Sequence, residues 1–363
     1  MTGTVARRAD DYDDSAADAF GGRMLEVLNS ASLALSTSIG HQTGLFDAMA
    51  TMPPSTSAEI ATAAGLNERY VREWLGAMTT AGVVIYDAVA VTYRLPAEHA
   101  ASLTRAAGQG NLASTMQFVP LLASVESSIV ECFRSGGGVP YSQYATFNRV
   151  MAEESASTHD ATLVDAILPL VDGLADRLHD GIDVADIGCG SGHAINLLAA
   201  AFPKSRFVGF DFSDEAVQVA RAEAQSLHLT NARFERQDVS DLGARSEFDL
   251  ITAFDAIHDQ ARPAAVLASI ARAMGREGVF LMGDIQASSN LEKNLQHPLG
   301  PFIFTVSLMH CMSVSLALDG AGLGTAWGEE NARAMLVEAG FNNVEVTHLE
   351  GDVLNTYYIA RKR

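Results

Sequence analysis

Val184-Ala185-Asp186-Ile187-Gly188-Cys189-Gly190-Ser191-Gly192-His193 is the stretch on which the reading of this 363-residue chain turns. Four strand-forming residues run into three alternating glycines, and a helix is predicted to follow over Ala194–Ala201. Glycine lets the backbone turn tightly and approach a ligand closely, and a helix start offers free N–H groups to an acceptor. That much would also suit a nucleotide phosphate, or a loop that uses glycine only to turn. Two details narrow it. Asp186 stands two residues before Gly188, where a carboxylate can attract a cationic amino group. The glycines alternate as GxGxG, not in the GxGxxG spacing of dinucleotide folds, which disfavours an NAD-dependent oxidoreductase. Asp211 closes the next strand, Phe207–Phe210, where an acid can bind both hydroxyls of a ribose; Ser213 can cap the helix after it.

Outward from this stretch, candidate strands at Val184–Ile187, Arg206–Phe210, Arg233–Arg236, Leu250–Ala253, Val279–Met282, Val344–His348 and Thr356–Ala360 alternate with helical segments. Short connections between them imply an α/β fold with a parallel sheet covered on both faces. The pattern DxGxGxG, followed by an acid closing strand two, resembles the class I S-adenosylmethionine-dependent methyltransferases, with their Rossmann-like seven-stranded sheet. The resemblance implies that Val184 to Asp211 hold S-adenosylmethionine. Asp186, Gly188, Gly190 and Gly192 would face its methionine part, and Asp211 its ribose. Asp238 and Val239, after the third strand, would meet the adenine amino edge, with Phe212 on the adenine face. Phe254, with Asp255 after the fourth strand, would line the cofactor and face the acceptor. The family also implies that the strand near Thr356–Ala360 is inserted antiparallel to the others.

Methyl transfer is a displacement at a sulfonium-bound carbon, so alignment supplies much of the rate, and a hydroxyl, amine or acidic carbon can also need a base. Asp255-Ala256-Ile257-His258-Asp259-Gln260 resembles the His-Asp-Trp element of small-molecule O-methyltransferases, which implies that His258 is the base. Gln260 stands where those enzymes have tryptophan. They close the fifth strand with an acid that orients the histidine, here Asp284. A segment 285–327 follows as an insertion; its apolar part, Phe302 to Met312, could line a pocket for a lipophilic or aromatic acceptor. His310, inside that run, is the alternative base or a hydrogen-bonded core residue. Gly320, Gly322 and Gly324 suggest a turn or a hinge.

Before the sheet, the order of elements reads as a winged helix: a helix over Met24–Ala50, a capping box at Thr56–Glu59, a helix after Asn67 burying Val71, Trp74, Leu75 and Met78, and a hairpin about Asp87-Ala88. The expected organisation is a mobile acidic tail over 1–22, a winged-helix domain over 23–105, a helical linker and substrate cover over 106–180, and a catalytic domain over 181–363. This arrangement is similar to bacterial winged-helix methyltransferases of unassigned acceptor. In the related O-methyltransferases the winged helix dimerises the enzyme and helps roof the acceptor site, so a homodimer is expected.

A transcription regulator that senses S-adenosylmethionine is the rival reading of a winged helix. Its charge argues otherwise: Phe20 to Thr104 holds four arginines and seven acidic residues. The whole chain carries a net charge of -20, which repels nucleic acid and anionic membranes. Hydrophobic residues at 48% against 19% charged fit a substantial core. Three cysteines without CxxC spacing predict neither a disulfide framework nor a metal site, and fit the cytoplasm. Pro298 to Leu318 carries no charge and is long enough to span a bilayer. Its prolines, His310 and hydroxyls instead predict a buried or ligand-facing segment.

Overall fold

The computed structural model describes residues 12–243 and 248–362. The chain divides into two compact units that part between Pro120 and Leu121.

In the first unit, helix α1 (Asp14–Gln42) starts where the Asp13 carboxylate accepts the Ala16 N–H at 3.1 Å. Residues 14–22 of the expected tail are therefore helical, while 1–11 lie outside the described residues. The single helix expected over Met24–Ala50 is broken. Thr43 bonds back to the Ile39 carbonyl, and Gly44 turns left-handed (φ 72°), which releases α2 (Leu45–Ala50) to bury Leu45, Phe46 and Met49. Helix α3 (Ser57–Ala64) has the capping box of Thr56 and Glu59, and Asn67 caps α4 (Glu68–Thr80). Val71, Trp74, Leu75 and Met78 are its buried face, as the periodicity predicts. The Trp74 indole N–H donates to the Ser36 carbonyl at 2.8 Å. Strands β1 (Ile85–Asp87) and β2 (Thr92–Arg94) pair antiparallel, and the wing is shorter than expected. The Asp87 carboxylate accepts the N–H groups of Val89 and Ala90, so the loop occupies 88–91 instead of a turn at Asp87-Ala88. Short helices α5 (Ala97–Ala100), α6 (Leu112–Thr115) and α7 (Phe118–Ala123) follow.

The second unit leads in with α8 (Glu126–Ser135), α9 (Phe147–Thr162) and α10 (Leu174–Asp180). Strand β3 (Asp183–Ile187) then alternates with α11 (His193–Ala201), β4 (Arg206–Asp211), α12 (Asp214–Ser226), β5 (Ala232–Arg236), β6 (Phe248–Phe254), α13 (Pro263–Ala273) and β7 (Met274–Ile285). After the insertion's α14 (Gly300–Val306) and α15 (Met312–Leu316), the chain closes with α16 (Gly328–Glu338), β8 (Asn343–Thr347) and β9 (Asn355–Arg361). The seven strands lie in the order β5-β4-β3-β6-β7-β9-β8. β3 to β7 are parallel, and β9 is inserted antiparallel between β7 and β8. Both faces are apolar: Ile187, Phe210, Ile251 and Phe280 pack on one side, and Val184, Phe207, Leu250 and Leu281 on the other.

Strand order reverses between β3 and β6, which opens a crevice at the carboxyl ends of the parallel strands. Asp186, Asp211, Phe254 and Asp284 all lie in the last two residues of their strands, so the topology collects them at this one edge. The uncharged segment Pro298–Leu318 folds as α14, a π turn over Ser307–Cys311, and α15. Among the described residues no single helix is long and apolar enough to cross a membrane.

Candidate active site

The glycine loop is shaped by three left-handed residues, Gly188, Gly190 and Gly192, at φ 69°, 53° and 74°. A Cβ on Gly188 would lie 2.5 Å from the Ala256 Cβ, and one on Gly192 would lie 2.5 Å from both the Ala220 Cβ and the Phe234 ring. These two positions are closed by packing. Gly190 differs, since a Cβ there meets nothing within 4 Å; its glycine leaves open space beside the backbone.

Asp211 holds the loop. Its two oxygens accept the Gly190 N–H at 2.9 Å and the Ser213 N–H at 2.8 Å, and Ser213 caps α12 through the Ala216 N–H. Asp186 is 3% exposed and accepts the Thr252 hydroxyl at 2.7 Å. Burial raises its pKa to about 7, against the Thr252 hydrogen bond and with help from Asp211. A buried carboxylate so poised gains by meeting a cation. Phe212 is half exposed, with its ring 5.2 Å from Tyr141. Asp238 is exposed, turned to Ser240 N–H and Arg262, while the neighbouring Val239 side chain is buried in the core with Phe210. The Phe254 ring lies tilted against His159 of α9, centroids 5.0 Å apart.

At the ends of β6 and β7 sits a second cluster. His258 Nδ1 is 2.7 Å from Asp284 Oδ1, and both side chains are buried. The same oxygen accepts the Ile285 N–H and the Trp327 indole N–H at 3.1 Å. Asp284 Oδ2 is buried without a hydrogen-bond partner among the described residues. Burial works against a charged His258, but the carboxylate of Asp284 outweighs it and holds the imidazole pKa well above the usual histidine range. With Nδ1 committed to Asp284, a neutral His258 carries its lone pair on Nε2, beside Cys311, where it can accept a proton. Asp255 adopts a left-handed backbone (φ 52°), and its buried Oδ1 also lacks a partner. Burial, then the Asp284 charge, raises its pKa to about 7.

His310 lies in the π turn of the insertion, 2% exposed, among Tyr141, Tyr144 and Phe147. Tyr141 donates its hydroxyl to Asp259, so Asp259 faces the segment before α9 and leaves Asp284 as the carboxylate on His258. Tyr144 donates to the Met309 carbonyl at 2.5 Å.

The structure thus brings together Asp186, the glycines and Asp211 in one group, and His258 with Asp284 in another. Asp238 stays on the exposed rim. Sequence reasoning missed Trp327 and Tyr141. A signal existed for the first: the chain has only two tryptophans, and a buried indole needs an acceptor for its N–H. Gln260, which stands where the related enzymes have tryptophan, bonds its amide to the Ala256 carbonyl instead. For Tyr141 no local pattern pointed to Asp259, 118 residues away.

An Rv2258c-like winged helix-turn-helix domain model matches residues 31–105, and a methyltransferase domain model matches residues 178–309. Malonyl-[acyl-carrier protein] O-methyltransferase of Bacillus anthracis is 26% identical over 113 residues, covering 31% of this chain and 36% of that protein. Trans-aconitate 2-methyltransferase of Methylobacterium nodulans is 30% identical over 110 residues, covering 30% and 40%. The chain therefore spans well under half the length of these relatives. Solved structures align over nearly the whole chain. Human N-acetylserotonin methyltransferase, in complex with S-adenosylmethionine, has a TM-score of 0.69 at 15% identity, covering 98% of this chain and 100% of its own. Mitomycin 7-O-methyltransferase has a TM-score of 0.69 at 17% identity, covering 96% and 100%. These likenesses are of fold. The chain joins an N-terminal winged helix-turn-helix domain to a methyltransferase domain of the class I fold.

Proposed function

We propose that this protein transfers a methyl group from S-adenosylmethionine to a hydroxyl of a small, flat, lipophilic acceptor, with His258 as general base. The observation that carries this reading is the buried His258–Asp284 pair at the carboxyl ends of β6 and β7, on the same sheet edge as the glycine loop. The cofactor is S-adenosylmethionine, and when bound it supplies a methyl group on a positively charged sulfur. The residues present fit it. Gly190 leaves backbone and open space for the methionine part, and Asp186 is a buried acid suited to an ammonium. Asp211 can exchange its loop contacts for ribose hydroxyls, and Phe212 offers an exposed ring to the adenine. Asp238 and the backbone of Val239 stand beside it for the adenine edge, and Phe254 borders the methyl end.

Asp284 fixes the His258 tautomer by accepting from Nδ1, and Trp327 and Ile285 fix Asp284 in turn. His258 Nε2 then takes the acceptor's hydroxyl proton as the oxygen attacks. Titration calorimetry with S-adenosylhomocysteine tests the cofactor site: binding should be clear and NAD binding negligible. Asp211→Ala should weaken S-adenosylhomocysteine by roughly 1–3 kcal/mol, the range for a lost hydrogen-bonded charge. Tight NAD binding, or unchanged affinity in the variant, would overturn the assignment.

The partner is a second copy of the chain, not nucleic acid. Helix α1 leaves Met24, Leu25, Leu28, Leu35 and Ile39 exposed along a helical stripe, and such a contiguous apolar face invites an interface. The acidic balance of the winged helix opposes phosphate binding. Light scattering should report twice the chain mass, and a low-salt DNA shift assay should show no complex. A persistent monomer, or DNA affinity with a steep salt slope, contradicts this. The three free cysteines fit a reducing cytoplasm.

A further inference from the structure

His310 has no part in the proton transfer described above, yet it is packed among three aromatic rings. It stacks on Phe147, with centroids 4.0 Å apart and planes 12° from parallel. Tyr144 and Tyr141 present their edges at 4.7 and 5.2 Å. Nδ1 lies 3.6 Å from the Cys311 thiol. Nε2 is buried and has no hydrogen-bond partner among the described residues. Buried polar atoms are almost always paired in native proteins, so this nitrogen is open to a ligand group.

We propose that His310 is a second anchor for the acceptor, its Nε2 hydrogen-bonding a polar substituent of an aromatic acceptor whose methylated hydroxyl sits at His258. This rests on the methyl-transfer reading and adds to it the class of compound. Three features support it. His310 stays neutral, because burial, and then the positive charge of His258, push its pKa down to about 3; a neutral imidazole keeps one lone pair and one N–H for bonding. Cys311 lies against both histidines, so the two imidazoles flank a single side chain. The surrounding side chains, Tyr141, Tyr144, Phe147 and the half-exposed Phe212, are flat rings that favour a flat guest. The acceptor class is therefore a phenol with a second polar oxygen or nitrogen on the same ring system.

The test is binding, measured apart from turnover. Wild-type protein saturated with S-adenosylhomocysteine is titrated calorimetrically with naphthalenediols of different hydroxyl spacing, the tightest of which serves as the diol probe, and with the matching mono-hydroxyl naphthol. The diol should bind roughly 10–100-fold tighter, the range for one well-made buried hydrogen bond. His310→Phe keeps a ring on Phe147 and removes both nitrogens. It should bring the diol down to the level of the naphthol, leaving the naphthol and S-adenosylhomocysteine affinities unchanged. His310→Gln, which can still hydrogen-bond, should recover part of the preference. If His310→Phe loses S-adenosylhomocysteine binding, His310→Leu is read in its place. Equal binding of the two probes by wild type, binding of neither, or a preference that survives loss of the nitrogens overturns the proposal. Label transfer from S-adenosylmethionine is scored separately. A diol preference without methyl transfer would defeat the enzymatic reading and leave the anchor standing.

Discussion

His258→Ala is expected to slow methyl transfer by roughly 10²–10⁴-fold, the usual contribution of a positioned base, with S-adenosylhomocysteine affinity unchanged. The imidazole is buried, paired through Nδ1 to Asp284, and remote in sequence from the glycine loop and Asp211. Removing it therefore takes away the proton acceptor and leaves the cofactor groups in place. The pH profile gives the sign. His258 acts as a base only when neutral, and Asp284 holds its pKa above the histidine range despite burial. The rate should rise with pH along a limb lying alkaline of about 6.5, the ordinary histidine value, and that limb should vanish in His258→Ala. Asp284→Asn removes the carboxylate that does most to raise the pKa and leaves burial opposed only by Cys311, so the limb should move to lower pH while the rate falls less than in His258→Ala. His310→Ala is the control, and it should keep the limb. Near-normal turnover in His258→Ala with a dead His310→Ala would place the base on the insertion. Activity in both variants would leave alignment alone as the source of the rate.

Gly192→Ala should cost about 2–5 kcal/mol of stability, combining about 1–2 kcal/mol for a left-handed non-glycine residue with about 1–3 kcal/mol for overpacking. Its Cβ would collide with Ala220 of α12 and Phe234 of β5, both buried, so a helix or a strand must shift. Gly190→Ala carries the same backbone strain, at φ 53°, but its Cβ enters open space. It should cost only the strain, about 1–2 kcal/mol, while weakening S-adenosylhomocysteine by an order of magnitude or more. Urea unfolding and calorimetry on the two variants separate packing from ligand space. If Gly190→Ala binds S-adenosylhomocysteine as wild type does, the open side of the loop is not where the cofactor lies.

Much of this molecule is local in origin and so could be read from the chain. Asp186, the three glycines and Asp211 lie within one strand–turn–helix–strand unit, where spacing alone sets the geometry. The capping box at Thr56–Glu59 and the buried face Val71, Trp74, Leu75 and Met78 are likewise consequences of residues three and four apart. All seven sheet strands could be picked out as candidates, most as apolar runs and β5 and β8 as alternating segments bounded by turns. The break at Thr43-Gly44 was harder to see. Leu45, Phe46 and Met49 continue an apolar pattern, and only burial against α3 and α4 decides that the helix must turn there.

What only the tertiary structure decided is which distant groups meet. His258 and Asp284 were legible as candidates, but their 2.7 Å contact depends on the parallel register of β6 and β7. Trp327 reaches Asp284 from the far end of the insertion, and Tyr141 reaches Asp259 from the segment before α9. His310 could be a base or a core residue by sequence; its stacking on Phe147, its loss of basicity through burial and an Nε2 without a partner among the described residues appear only once the insertion folds. The physical reason is one of range. Turns, caps and amphipathic faces are set by interactions over a few residues, whereas desolvation and side-chain pairing depend on whatever the fold packs alongside.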